Sequence, residues 1–257
     1  MGNETILEVE GVTKQFGGLA ALKDISFSVA RGEIKAVIGP NGAGKTTLFN
    51  VLTGIYRANA GRILMKGKSI TGLRSDQITA MGMIRTFQTV RLFEGMTVLE
   101  NTMVGCHSRS ESGFLSNSLR LPKSRREEKR IYEEAMQILV DVGIETRAMD
   151  DGTNLAYGQQ RMLELARALA SQPDILLLDE PAAGLNPYET GELSSLVSNL
   201  RNRGLTIIIV EHDMGLVMGI SDDIVVLDYG EVIARGTPDE VQNDPRVIEA
   251  YLGIGPE

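Results

Sequence analysis

The sequence predicts an α/β fold: a mainly parallel sheet with helices, an N-terminal antiparallel β subdomain and an inserted helical subdomain. Three observations predict it. Short β-branched runs alternate with helical patterns along most of the 257 residues. The first strands follow one another through glycine turns, with no helix between them. From about residue 90 to 171 the pattern becomes helical, and the strand–helix alternation then resumes. We therefore expect one domain over residues 1–257, its core formed by 1–89 and 172–257 and its helical subdomain by 90–171.

The elements follow in order. Residues 6–9 and 25–29 read as strands, with Gly17-Gly18 and Arg31-Gly32 marking turns. Residues 34–38 form a short β-branched strand, and 47–52 open a helix. Residues 62–66 and 68–70 flank Gly67 as a hairpin. The chain from 105 to 126 is loop-like, rich in Ser, Asn and Arg. Residues 126–142 are helical, with Ile131, Ala135, Ile138, Leu139 and Val142 on one face. A second helix runs from 158 to 171 and ends before Pro173. Strands at 175–178, 206–210 and 224–227 follow, with a helix at 190–203 stopped by Gly204. Thr237-Pro238-Asp239-Glu240 is a helix-start signal. There is no internal repeat and no low-complexity tract.

Composition excludes several classes. Cys106 is the only cysteine, so no intramolecular disulfide forms and a reducing compartment fits best. The N-terminus lacks a basic segment followed by an apolar one, which argues against a secretion signal. No apolar run approaches the roughly twenty residues of a membrane-spanning helix. A net charge of −8 disfavours a broad phosphate-backbone footprint and so weakens any nucleic-acid reading.

Two motifs carry chemistry. Gly39-Pro40-Asn41-Gly42-Ala43-Gly44-Lys45-Thr46 is a complete G-x-x-x-x-G-K-T loop between a strand and a helix, continued by Thr47. Its glycines let successive N–H groups turn inward around phosphate oxygens. Lys45 then reaches the β/γ-phosphates, and the Thr46 hydroxyl takes a Mg²⁺ coordination site. The loop predicts binding of a nucleoside triphosphate. The second motif is Ile175-Leu176-Leu177-Leu178-Asp179-Glu180, a buried strand with acids at its C-terminal end, where α/β sheets place ligands. Asp179 is the expected Mg²⁺ partner, through water. Glu180 accepts a proton from the attacking water or holds it in line.

Between them, Asn154-Leu155-Ala156-Tyr157-Gly158-Gln159-Gln160-Arg161 leads into a helix. Leu155, Ala156, Tyr157, Gly158 and Gln159 resemble the signature of ATP-binding-cassette (ABC) ATPases, usually Leu-Ser-Gly-Gly-Gln. Ala156 stands where Ser is usual and Tyr157 where Gly is usual. Leu-Ala-Tyr-Gly-Gln-Gln is similar to the signature of ATPases serving branched-chain amino-acid importers. The resemblance implies that this helix start faces the γ-phosphate of ATP held by a second subunit. With no hydroxyl at 156, the contact would rest on backbone N–H groups, notably at Gly158.

Other positions match the family in order. Gln88 matches the glutamine that reports on Mg²⁺ and water and joins the core to the helical lobe. Asn186, in Ala183-Gly184-Leu185-Asn186, stands in the D-loop where Asp is usual. His212 matches the switch histidine that touches the γ-phosphate, whereas His107 has no such support. Phe16 matches the aromatic that stacks on adenine, with an apolar core role as the alternative. The resemblance covers the chain from Leu7 to about Ala234.

It implies a P-loop ATPase using ATP and Mg²⁺, with catalytic residues Glu180, His212 and Gln88 and metal positions Thr46, Gln88 and Asp179. Two copies, or one copy and a paralogue, would sandwich ATP head to tail. The transport pathway would belong to integral-membrane permease subunits, and cargo would arrive through a periplasmic or extracellular binding protein. The chain would sit peripherally on the cytoplasmic face of the inner membrane. Arg91, Leu92, Phe93 and Met96 form either a groove for a permease helix or intradomain packing. The basic stretch 105–130 resembles a longer helical-lobe insertion, or is a solvated loop near anionic lipid. Related systems for urea, amides or lipopolysaccharide remain open. The chain lacks the coiled coil expected of a nucleic-acid mechano-ATPase, and a non-hydrolysing module would not need both Glu180 and His212.

Overall fold

The computed structural model describes residues 4–86, 88, 90–107 and 122–252, without the side chains of 107, 122–125 and 252. Much of the basic stretch 105–130, with Arg109 and Arg120, therefore lies outside the described residues, as does the His107 side chain. The chain divides into two compact units. The first comprises residues 1–85, 174–182 and 197–257, the second 86–173 and 183–196.

The first unit holds two sheets. β1 (Thr5–Phe16), β2 (Leu19–Ala30), β4 (Ala60–Met65) and β5 (Lys68–Ser69) form an antiparallel sheet in the order β2-β1-β4-β5. β1 and β2 are longer than their apolar patterns suggest, because register shifts around Val12 and Lys14 keep them paired through polar residues. The larger sheet runs β10-β9-β3-β8-β7-β6. Its members are β3 (Ile34–Ile38), β6 (Met83–Arg85), β7 (Ile175–Asp179), β8 (Thr206–Val210), β9 (Asp223–Asp228) and β10 (Glu231–Gly236). Every residue of β3, β7 and β8 is buried, as parallel strands covered on both faces require. β10 alone is antiparallel, returning from β9 through the Tyr229-Gly230 turn.

α1 (Lys45–Leu52) follows the phosphate loop, and α2 (Ser75–Ala80) precedes β6. Leu48, Phe49, Val51 and Leu52 of α1 join one apolar core with Val37, Leu177, Ile208 and Val225 from the large sheet and Ile25, Phe27 and Ile63 from the small one.

The second unit is helical: α3 (Val98–His107), α4 (Pro122–Asp141), α5 (Tyr157–Ala170) and the first part of α6 (Pro187–Asn202). Residues 105–107 and 122–126, read from sequence as loop, are helical. Their largely polar composition shows no apolar periodicity and so hides the extra turns, and Pro122 suits a helix start. Ile131, Ala135, Leu139 and Val142 are buried as their spacing predicts, while Ile138 is half-buried against Cys106 and Ala170. In the first unit, α7 (Met214–Ile220), α8 (Pro238–Gln242) and α9 (Pro245–Leu252) complete the chain, with Thr237 capping α8 through a reciprocal bond with Glu240.

Candidate ATP site

The phosphate loop is held by close backbone approach. A Cβ on Gly39 would fall 2.0 Å from the Leu227 carbonyl oxygen, and one on Gly44 2.7 Å from that of Ala21. Gly44, at φ 107, is also the N-cap of α1, so the helix begins directly from a left-handed turn. Gly230 N–H donates to the Ala43 carbonyl at 3.1 Å, bracing the loop from the β9–β10 turn. Lys45 is 8% exposed, and its Nζ donates to the carbonyls of Gly39 (2.6 Å) and Pro40 (2.9 Å). Burial pushes its pKa below the ordinary lysine value, and the Glu180 carboxylate partly opposes that shift. Asn41, Gly42 and Thr46 are exposed and Gly44 and Thr47 half-buried, whereas Ala43 and Lys45 are buried.

The acids stand at the end of β7. Asp179 is buried, and its Oδ2 accepts from Arg85 Nη2 at 2.6 Å. Arg85 Nη1 donates to Asn50 Oδ1 on α1 at 2.7 Å. This arginine, which the sequence reading passed over, therefore ties the acid to the helix that follows the loop. Glu180 has φ 47, a left-handed conformation that costs a non-glycine residue about 1–3 kcal/mol. Its N–H donates to the Val210 carbonyl at 2.8 Å, which holds the turn.

Parallel pairing of Asp179 with Val210 sets the next strand end beside it. There Glu211, fully buried, accepts backbone N–H groups of Ala182 (2.7 Å), His212 (3.0 Å) and Asp213 (3.3 Å). His212 is exposed, with Nδ1 3.7 Å from Glu211 Oε2. Glu211 is a second residue that sequence reasoning missed. Its signal was an acid at the end of an otherwise apolar strand.

Gln88, Leu155, Ala156, Tyr157, Gly158, Gln159 and Asn186 belong to the second unit. Leu155 and Gly158 are buried, while Ala156 and Tyr157 are exposed. Ala156 is the N-cap of α5 and makes no side-chain cap. Gln88 is exposed, and its carbonyl accepts from Arg161 Nη2 at 2.6 Å. Arg161 also lies over the Tyr157 ring, 5.5 Å from its centroid. Asn186 Oδ1 accepts from Tyr188 and Glu189 N–H at 2.9 and 3.0 Å, so its side chain caps α6. Phe93 is 45% exposed, with Arg167 over its ring at 5.3 Å, and Arg91 is exposed beside it.

The family model of the ABC transporter matches residues 22–183, more than half of the chain, and takes in residues 39–46, 155–159 and 179–180. The chain belongs to the ABC transporter family. A second model, described as branched-chain amino acid ATP-binding cassette transporter, matches residues 231–255. This ABC ATPase is 48% identical over 252 residues to the high-affinity branched-chain amino acid transport ATP-binding protein LivG of Escherichia coli (strain K12), covering 98% of this chain and 99% of that one. It is 47% identical to BraF of Pseudomonas aeruginosa, with 96% and 98% covered. Among solved structures, it is similar to the ADP conformation of an ATP-binding cassette of an ABC transporter. There the TM-score is 0.85 at 35% identity, covering 97% of this chain and 99% of that one. A nucleotide-free cassette matches with a TM-score of 0.83 at 34% identity, covering 96% and 99%.

In this ABC ATPase, Phe16 is 42% exposed at the end of β1, so it is not a core residue. The C-terminal segment also reaches the phosphate loop: the Tyr251 hydroxyl is hydrogen-bonded to the Gly39 backbone, and burial raises its pKa.

Proposed function

We propose that this ABC ATPase powers import of branched-chain amino acids by hydrolysing ATP between two cassettes arranged head to tail. The observation that carries the reading is near-complete coverage of the LivG and BraF relatives at 47–48% identity. The match of residues 231–255 to a branched-chain family model adds to it.

The chemistry follows from named groups. Lys45 leaves two loop carbonyls for β/γ-phosphate oxygens, and the loop's N–H groups hold the remainder. Thr46 and Asp179 are hard oxygen donors of the kind Mg²⁺ takes, and the ion would neutralise charge on the phosphates. Glu180 accepts the proton of the attacking water; His212, held by Glu211, meets the γ-phosphate; Gln88 orients the water. The start of α5 contributes N–H groups to the partner's nucleotide.

Among the described residues no helix is long and apolar enough to cross a membrane. Permease subunits would supply the pathway and hold the chain at the cytoplasmic face of the membrane, with Arg91, Leu92, Phe93 and Met96 on the docking side. The test is uptake of labelled leucine, isoleucine and valine in cells that depend on this chain, with E180Q as the inactive control. Uptake that persists with E180Q, or loss confined to urea or amides, overturns the assignment.

A further inference from the structure

Phe16 does not stand alone at the end of β1. Its ring meets Tyr56 edge-on, with centroids 5.2 Å apart and planes at 78°. Lys14 Nζ lies over both rings, 4.8 Å from the Phe16 centroid and 5.8 Å from that of Tyr56. The ammonium is tethered, donating to the Arg57 carbonyl at 3.0 Å.

Two sets of backbone contacts fix this cluster beside the phosphate loop. Phe16 pairs with Leu19 and Lys14 with Leu22, so the hairpin end leads straight to Ala21, whose carbonyl abuts Gly44. On the other side, Tyr56 N–H donates to the Asn50 carbonyl at 2.9 Å, so α1, which starts at Lys45, carries the second ring. Asn59 closes the arrangement: its Oδ1 accepts from Gln15 N–H and its own N–H donates to the Thr13 carbonyl, both at 2.8 Å.

Despite these ties, Phe16 is 42% and Tyr56 37% exposed. The Tyr56 ring and the ammonium restrict the orientations open to the Phe16 ring, and its exposed surface suits a third planar group. The positive charge draws density from the ring, which favours stacking of an electron-rich heterocycle.

We propose that Tyr56 and Lys14 are positioning residues for the nucleobase, holding Phe16 at the angle at which adenine stacks on it. The proposal rests on the reading of residues 39–47 as an ATP site. Stacking of a base on an aromatic is worth about a tenfold or greater change in affinity when the aromatic is truncated. The experiment is calorimetric titration of the purified chain with ATP and, separately, with inorganic tripolyphosphate, which engages the loop but has no base.

Y56A is expected to weaken ATP about tenfold and to leave tripolyphosphate unchanged. Y56F restores ATP binding, because the ring and not the hydroxyl is used; Y56L, which keeps the bulk, stays weak; K14M loses about two- to threefold. An unchanged ratio of ATP to tripolyphosphate affinity in Y56A overturns the proposal. So does parallel loss of both ligands, which would make Tyr56 a support for α1 alone. Failure of the parent chain to bind either ligand sinks the ATP-site reading itself.

Discussion

Glu189 fills the space that Gly158 leaves empty. A Cβ built on Gly158 would fall 2.3 Å from Glu189 Oε1, while Glu189 Oε2 accepts the Asn186 N–H at 2.9 Å. The relation is matched one residue earlier, where a Cβ on Gly184 would meet Tyr157 Cε1 at 2.8 Å. Two glycines thus receive side chains from the facing segment. A Gly158→Asp variant therefore meets a carboxylate of its own chain before any partner's nucleotide. We expect it to lower stability through like-charge contact, and E189A to recover most of the loss. A double-mutant cycle in urea, with coupling of about 1 kcal/mol or more, checks this; strict additivity would refute it.

Glu180→Gln should retain ATP binding, nearly abolish hydrolysis and accumulate an ATP-dependent dimer. Glutamine keeps the size and the strained φ 47 of the parent, so the change isolates proton acceptance. Phosphate release and size-exclusion chromatography with ATP read it. Parental turnover would remove Glu180 from the mechanism.

Lys45 gives binding a pH dependence. Its pKa in the free chain is below the ordinary value through burial, and a phosphate against Nζ favours the charged form and raises it again. Above the free pKa, binding takes up a proton, so affinity falls as pH rises, by at most tenfold per unit. The decline should begin below the ordinary lysine value of about 10.4. K45A should bind weakly at every pH, with no such decline. A fluorescent ATP analogue titrated across the alkaline range distinguishes the two; a flat parent profile contradicts the assignment.

Removing Arg85 should be costly to the fold. Its side chain and that of Asp179 are 7% and 6% exposed, so R85M strands a buried carboxylate, at about 3–5 kcal/mol. R85M with D179N should regain part of that stability. Denaturant midpoints measure both, and an R85M midpoint equal to the parent's would show that the pair carries no weight.

Ala156→Ser should stabilise α5 without nucleotide. Position 156 is the N-cap, φ −60 and ψ 153, with no side-chain cap, and Gln159 sits at the third helical position. Serine would complete a Ser-x-x-Gln capping box worth about 0.5–2 kcal/mol. Its hydroxyl hydrogen would stay available to a partner's phosphate, so ATP-dependent dimerisation should also tighten. An unshifted urea midpoint would refute the capping role.

Much of this protein is local and so was readable from sequence. The phosphate loop depends on glycine conformations and on a strand and helix that adjoin it in the chain, and buried parallel strands announce themselves as continuous apolar runs. The helical face of Ile131, Ala135, Leu139 and Val142 follows from periodicity alone. β1 and β2 extend beyond their apolar runs, and in those polar stretches cross-strand pairing, not pattern, sustains them.

Other features depend on which distant residues meet. Arg85 looks like an ordinary strand residue until parallel pairing of β6 with β7 brings it to Asp179. Glu211 reads as a solvated acid until its carboxylate is seen collecting three backbone N–H groups. Gly158 reads as a backbone N–H donor, and nothing in its local sequence says that Glu189 lies where its side chain would be. Sequence determined which groups stand in the loop and at the end of β7, because those are contiguous residues. Tertiary structure decided what holds them, because burial makes an ion pair, a cap or a glycine gap matter only once a partner from elsewhere in the chain arrives.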